Sequence, residues 1–486
     1  MQFKLAFIGA GSIGFTRNLV RDLLSVPEFR DVELAFMDIN SANLEMVTQL
    51  VQRDIDANGL SVRIKSTQDR KEALKGARYI FNVARIGCLE GFAMDVEIPL
   101  KYGVDQCVGD TLCAGGIMYA QRGIAYMLGL CRDIREVAEP DALLVNYANP
   151  NAMMTWAAIK YGGVRCVGLC HGVQGGHHLI AQALGAEKND IDIICAGINH
   201  QTWYVQVKLR GEPVPMERIL LALEADPEIS SHEKVRIDMM KRFGYFSTES
   251  NGHLSEYVPW YRKRPEGILQ WINTDNWSSG ETGGYLRICT ESRNWFDTEF
   301  PQWLAAPPFE YAEGNRSVEH GSYIVEGLET GRVYRGHFNV MNEGCITNIP
   351  NGCIVEVPGY VDRNGISIPK VGDLPLGCAA VISSSIWVQR LSVEAAVSGD
   401  DMLLRQAVLL DPLVGAVCNP PEVWQMVDEM LIAEEQWLPQ YKTAIATAKK
   451  RRKAGNLLPT KDGYRGAARM NVKTVEELKE EKKVAH

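Results

Sequence analysis

The chain has 486 residues, of which 46% are hydrophobic and 23% charged, the balance of a globular protein and not of a disordered, collagen-like or coiled-coil chain. Its length is about three times that of a typical single domain, which predicts two fused regions. With 51 basic and 60 acidic residues the net charge is −9, so neither nucleic acid nor an anionic membrane surface is expected as a partner.

The opening MQFKLAFIGAG places a glycine turn where a secretory leader would be cleaved, and no apolar run approaches the roughly 20 residues of a membrane span. A cytoplasmic protein is expected. Residues 3–8 predict a strand, Ser12 to Leu24 a helix, and Val32 to Met37 a second strand. The alternation continues with a helix near 41–58, strand 62–66, helix 69–75 and strand 77–84. It goes on with helix 116–137, strand 142–147, helix 150–161 and strand 165–169. This is the pattern of a Rossmann-like, doubly wound parallel sheet, of the kind found in lactate and malate dehydrogenases, with a second α+β domain attached. Residues 1–200 are expected to form the nucleotide-binding domain and 201–450 a substrate, metal and oligomerisation domain. Residues 451–486 would be a charged tail, mobile or packed on the surface. Past Ile198 the pattern fades into Trp/Pro/Gly-rich stretches at 245–310, with strands near 202–209 and 353–361. Amphipathic helical periods return at 376–397, 400–410 and 421–449. The 12 cysteines contain no CxxC pair, so most should be reduced and buried.

Gly9-Ala10-Gly11-Ser12-Ile13-Gly14 fits GxGxxG between the first strand and helix, and Asp38 closes the next strand. The first glycine would allow the turn, the second the approach of a pyrophosphate, and the third close packing of helix on strand. Phosphate would meet the free N–H groups of the helix start. Asp38 would accept the adenosine ribose hydroxyls and repel a 2′-phosphate, favouring NAD over NADP.

Asn149, in Asn146-Tyr147-Ala148-Asn149-Pro150, stands at the carboxyl end of a strand, where an amide could bind sugar hydroxyls or cap the next helix. Cys170-His171 and Asn199-His200 follow the next two strands. A thiolate and an imidazole from neighbouring strand ends suit a divalent transition metal with positions open to substrate oxygens; a buried thiol and a satisfied histidine are the alternative. His171 would face substrate if Cys170 faces the metal. His177 and His178 fall on the following helix with structural roles, and Arg85 would bind sugar hydroxyls or pair a carboxylate.

Together, GAGS, Asp38, NYANP, the C-H-x-V element, GINH, TESNGHLSEY and the C-terminal LLRQAVLLDPLVGAV and WQMVDEML stretches resemble the NAD- and manganese-dependent family 4 glycoside hydrolases over nearly the whole chain. His171 after the cysteine is similar to the branch acting on unphosphorylated α-glycosides, although Gly172 stands where melibiose-type α-galactosidases carry a serine. The resemblance implies an α-galactosidase first, with α-glucosidase, α-galacturonidase or α-glucuronidase as alternatives. It also implies a homodimer or homotetramer.

The implied reaction begins with hydride transfer from sugar C3 to bound NAD⁺. Deprotonation at C2 follows, assisted by a metal, Mn²⁺ first among the candidates, on Cys170 and His200. Elimination of the aglycone, addition of water and return of the hydride complete it. The two-carboxylate scheme of ordinary glycosidases does not govern this family. Relatives carry their base in the region of Glu249, His253 and Tyr257, and all three are candidates. Two other classes share a nucleotide turn: a dehydrogenase, which would accumulate NADH, and a non-catalytic NAD sensor, which would show no metal-dependent turnover.

Overall fold

The computed structural model describes residues 1–484, with the side chains of 294, 295, 297, 298 and 482–484 excepted. The strands in chain order are Lys4–Ile8 (β1), Glu33–Met37 (β2), Ile64–Thr67 (β3), Tyr79–Asn82 (β4), Leu143–Asn146 (β5) and Arg165–Gly168 (β6). They continue with Ile191–Ile198 (β7), Gln201–Leu209 (β8), Glu212–Pro213 (β9), Tyr334–Met341 (β10), Ile354–Asp362 (β11) and Gly365–Ser367 (β12). In β1, Leu5 and Phe7 enter one hydrophobic core and Ala6 and Ile8 the other, so the strand is covered on both faces and reads as a continuous apolar run.

The strands form one sheet in the order β3-β2-β1-β4-β5-β6-β10-β11-β7-β8-β9, with β12 beside β11. The pairs from β3 to β6 are parallel, the doubly wound half that the alternating pattern predicts. Beyond β6 every pair is antiparallel. The hairpin β10–β11, late in the chain, inserts between β6 and β7, so the edge that β6 would otherwise expose is paired and the second half of the chain extends the first half's sheet.

The register places one residue from each central strand in a single row. Met37 pairs with Ile8, Ile8 with Asn82, Asn82 with Asn146, and Asn146 with Gly168. Gly168 pairs with Asn339, Asn339 with Glu356, Glu356 with Gly197, and Gly197 with Thr202. Chain segments leaving this row carry every candidate site residue before residue 201.

Strand positions agree with the sequence expectation to within two or three residues, and helices do so where the periodicity was unbroken, as in Ser41–Ala57 and Leu376–Ser398. The differences have local causes. A helix at Cys88–Lys101 and another at Gly284–Ala305 carry internal prolines, Pro99 and Pro301, that mask their periodicity. The stretch 421–449 is not one helix: Pro420–Ala433 and Lys442–Lys453 are separated by short turns around Pro439. The tail packs onto the surface, with the N–H of Ala467 on Asp105 Oδ2 at 2.8 Å and that of Lys461 on the Lys101 carbonyl at 2.7 Å, before a last helix at Val475–Val484.

Leu376–Ser398 is the one helix among the described residues long and apolar enough to cross a membrane. Half of its apolar window is buried, and its Ser392 carbonyl accepts from Gln121 of the helix Cys113–Val137.

At the centre of the row, a Cβ on Gly168 would fall on Asn151 Oδ1 and Thr155 Oγ1 and lie 2.9 Å from Asn339 Cβ. Gly168→Ala should therefore destabilise the fold by about 1–3 kcal/mol, the range for overpacking a filled interior. A urea titration checks this, and an unchanged midpoint would show that the neighbours can yield.

Candidate active site

Gly9 sits at φ +90, and a Cβ there would lie 2.6 Å from the Ala84 backbone, so both its conformation and its crowding require glycine. Gly11 donates its N–H to Asp38 Oδ2 at 2.8 Å, and a Cβ on Gly11 would meet that same oxygen at 2.8 Å. Asp38 Oδ1 accepts the N–H of Asn40 at 2.8 Å. The carboxylate thus ties the glycine turn to the end of β2 while remaining partly exposed. The packing reason given for Gly14 is corrected: a Cβ there would meet nothing within 4 Å. Gly14 and Ser12 are exposed at the start of the helix Ile13–Leu24, whose first turn carries no acidic residue. A phosphate would meet the N–H groups of that first turn with no acidic side chain on the turn itself.

On the same sheet edge, Cys170, His200 and Glu249 bring one ligand atom each to within 4.8 Å of one another. Cys170 Sγ lies 3.4 Å from Glu249 Oε2, and His200 Nε2 lies 2.9 Å from it. Cys170 stands two residues past Gly168 of the row. His200 belongs to the two-residue turn between β7 and β8 and has φ +63, a left-handed conformation that costs a non-glycine residue about 1–2 kcal/mol. Glu249 is carried by the strand-like pairing of its neighbours: Thr248 donates its N–H to the Thr202 carbonyl at 2.9 Å and receives that of Thr202 on Oγ1 at 3.0 Å.

Burial and the Glu249 and Glu356 carboxylates push the Cys170 thiol well above its ordinary range, against a 3.3 Å hydrogen bond from the Gly172 N–H. Burial opposes the charge of both His200 and Glu249, yet their mutual attraction prevails, raising His200 and holding Glu249 well down. A thiol, an imidazole and a carboxylate whose donor atoms converge in this way form a donor set suited to a divalent ion. Such an ion would deprotonate the thiol and neutralise the carboxylate.

Glu249, His253 and Tyr257 take different places. Glu249 joins the thiol and imidazole. His253 and Tyr257 are one helical turn apart on Asn251–Tyr257, which Ser250 caps. The His253 ring stands 4.7 Å from that of His200 and its Nδ1 meets Ser250 Oγ at 2.9 Å; burial and the His200 charge push it down to about 4. Tyr257 is buried, and burial raises its phenol.

The other side of the site is a polar wall. Arg85 Nη2 donates to Asp110 Oδ2 at 2.6 Å, and the guanidinium lies over the rings of Phe92, Tyr119 and Tyr285 at 4.5, 5.1 and 5.5 Å. Asn149 Nδ2 reaches both oxygens of Asp110 at 3.4 Å. Arg85 therefore does pair a carboxylate, and its buried Nη1 has no protein partner. His171 is exposed, with Nδ1 3.5 Å from Glu319 Oε1. His177 bonds the Ile191 carbonyl at 2.8 Å and His178 is exposed; neither reaches the cluster.

Sequence reasoning missed Asp110, Glu319 and Glu356. Only Glu356 carried a signal, a lone acid inside the apolar run Ile354–Val357. It is buried, and burial first, with Glu249 adding to it, pushes its carboxyl up to about 7 against the His200 charge.

A glycine-rich phosphate turn and a thiolate, imidazole and carboxylate cluster on one edge of a doubly wound sheet define a class of protein with a dinucleotide site beside a metal site. The chain belongs to the family 4 glycosyl hydrolases: that family's model matches residues 4–186, and the model of its C-terminal domain matches residues 195–414. It is 58% identical to an alpha-galactosidase of Rhizobium meliloti (strain 1021) across 100% of this chain and 98% of that one. It is 35% identical to an alpha-galactosidase of Bacillus subtilis (strain 168), covering 90% of this chain and 100% of the other. A solved 6-phospho-alpha-glucosidase from gut microorganisms, in complex with NAD and glucose-6-phosphate, superposes with a TM-score of 0.75 at 25% identity, covering 91% of this chain and 100% of that one.

The hydrogen bond to Glu319 is the largest influence on His171, raising it from 6.5 to about 9, with the Glu249 carboxylate adding to it. Because the folded value lies above the unfolded one, this pair stabilises the fold fully below pH 6.5 and ceases to do so as pH rises through about 9. Glu319→Gln should return the His171 titration toward 6.5 in the metal-free protein, followed by imidazole proton NMR. A titration still near 9 would assign the shift to Glu249 and Glu356 instead.

Proposed function

We propose that the chain is an α-galactosidase that opens its glycosidic bond by transient oxidation at sugar C3, proton removal at C2 and elimination. The observation that carries this reading is the position of the Cys170, His200 and Glu249 cluster on the same sheet edge as the Gly9–Gly14 turn. Direct displacement at C1 needs neither feature. The preference for galactosides is supported by the two alpha-galactosidases to which the chain is similar.

The residues fit both implied groups. Gly9, Gly11, Ser12, Gly14 and Asp38 would hold NAD, and Cys170 and His200, joined by Glu249, would hold a divalent metal, Mn²⁺ in the first instance. When bound, these supply a reversible hydride acceptor and a Lewis acid.

The chain's own groups supply the rest. Asn149, the paired Arg85 and Asp110, and His171 would orient the sugar hydroxyls, with Arg85 Nη1 free to donate. With Glu249 engaged by the metal ligands, the C2 proton falls to His253 or Tyr257, which share a helix face. His253 has the advantage of being neutral at neutral pH, and so able to accept a proton. All 12 cysteines are free, which agrees with a reducing, cytoplasmic setting. A homo-oligomeric assembly rests on the family resemblance.

Two measurements test the reading. Asp38→Ala should weaken NAD binding at least about tenfold, about 1.4 kcal/mol, and relax discrimination against NADP, both followed by fluorescence titration. Unchanged affinities would mean that the ribose is recognised elsewhere. An α-galactoside deuterated at C2 should lose label to solvent during turnover, and His253→Ala or Tyr257→Phe, whichever removes the true base, should suppress exchange and hydrolysis together. Product that keeps all its C2 deuterium would return the enzyme to direct displacement.

A further inference from the structure

The polar row across the sheet does not stop at the sugar wall. Asn82 Nδ2 donates to Asn146 Oδ1 at 2.9 Å, and the space above Gly168 is filled by Asn151, whose amide bonds the Asn146 and Leu169 carbonyls at 3.0 and 3.1 Å. Beyond Gly168 the row continues through Asn339 to Glu356 on β11, both buried. Glu356 Oε2 accepts from Asn199 Nδ2 at 3.2 Å, and Asn199 is the other residue of the turn that holds His200 at φ +63. Asn339 faces Glu356 in the register and its amide favours the Glu356 carboxylate, but neither Glu356 Oε1 nor the Asn339 amide has any other partner. Leaving such groups in a core is unfavourable, and an apolar side chain at either position would avoid it.

We propose that Glu356 is a positioning residue for the metal ligand His200: its carboxylate, anchored in the sheet, grips the Asn199 amide and thereby fixes the two-residue turn that aims the imidazole at Cys170 and Glu249. This rests on the reading that Cys170, His200 and Glu249 hold the metal. Glu356 acts through Asn199, as outer partners of metal ligands commonly do. Gly197, opposite Glu356 in the register, presents no side chain between the carboxylate and the turn.

The test is Mn²⁺ binding to the NAD-loaded protein, read from the electron paramagnetic resonance of the free ion, with NAD affinity as an independent report of folding. Glu356→Leu should weaken Mn²⁺ binding about tenfold to a hundredfold and leave NAD affinity unchanged. Glu356→Gln, which keeps an acceptor for Asn199, should stay within about threefold of the parent, because a neutral carbonyl oxygen retains most of that hydrogen bond. Asn199→Ala reaches the same bond from the turn, with a smaller change of side-chain volume, should the leucine variant not fold, and should weaken Mn²⁺ binding like Glu356→Leu. Parent-like Mn²⁺ affinity in folded Glu356→Leu or Asn199→Ala, or equal losses in Glu356→Gln and Glu356→Leu, would overturn the proposal. Cys170→Ser, run alongside, separates the two levels: if it too keeps Mn²⁺, the metal-site reading falls and this inference with it.

Discussion

The register of the central sheet governs everything placed on its edge. Hydrogen bonding from β2 through β5 to β6 aligns Met37, Ile8, Asn82, Asn146 and Gly168, so the chain leaves each strand at the same height. Asp38, Gly9, Arg85, Asn149 and Cys170 all lie within three residues of that line. A slip of one residue in any strand would turn its side chains to the opposite face and separate these groups. Alternation of Leu5 and Phe7 with Ala6 and Ile8 between two packed cores is what makes such a slip costly.

The antiparallel half extends the same frame to His200 and Glu249, which the parallel strands do not carry. Insertion of β10–β11 beside β6 sets Glu356 opposite Gly197, and pairing of β7 with β8 then sets Thr202 next in line. From there two short links lead to the Cys170, His200 and Glu249 cluster, Asn199 to His200 and Thr202 through Thr248 to Glu249. The family's two matched segments, before and after about residue 190, are thus joined at the level of backbone hydrogen bonding.

Buried charge serves a second purpose away from this edge. Arg122 is fully buried between Asp95 and Glu434, joining three helices, and Arg262 pairs with Asp105, on which the C-terminal segment also docks through Ala467. Such pairs contribute little net stability against an apolar substitute, but removing one partner typically costs about 3–5 kcal/mol, so they fix how the helices meet. The helix Cys88–Lys101 that Asp95 anchors also presents Phe92 to the Arg85 guanidinium, which connects this frame to the Arg85–Asp110 pair.

The doubly wound half, the glycine turn, Asp38 and the places of Cys170 and His200 just past strand ends were legible in the sequence because each depends on local pattern, but the expectation that those two strands are neighbours is corrected, since β10–β11 lies between β6 and β7. Other features had no local signature. Pro99 and Pro301 hid two helices, and a proline broke a third into pieces. Glu249 stood among three interchangeable candidates until the pairing of Thr248 with Thr202 brought it to 2.9 Å from His200. Asp110 and Glu319 meet Arg85 and His171 only because distant segments fold over the same edge. The sequence by itself determined which chemical groups end the parallel strands, since alternation and turn residues act over a few positions. The tertiary structure alone decided which carboxylate joins the thiol and imidazole, because insertion of β10–β11 and the β7–β8 turn bring together residues 79 and 156 positions apart in the chain, from Cys170 to Glu249 and from His200 to Glu356.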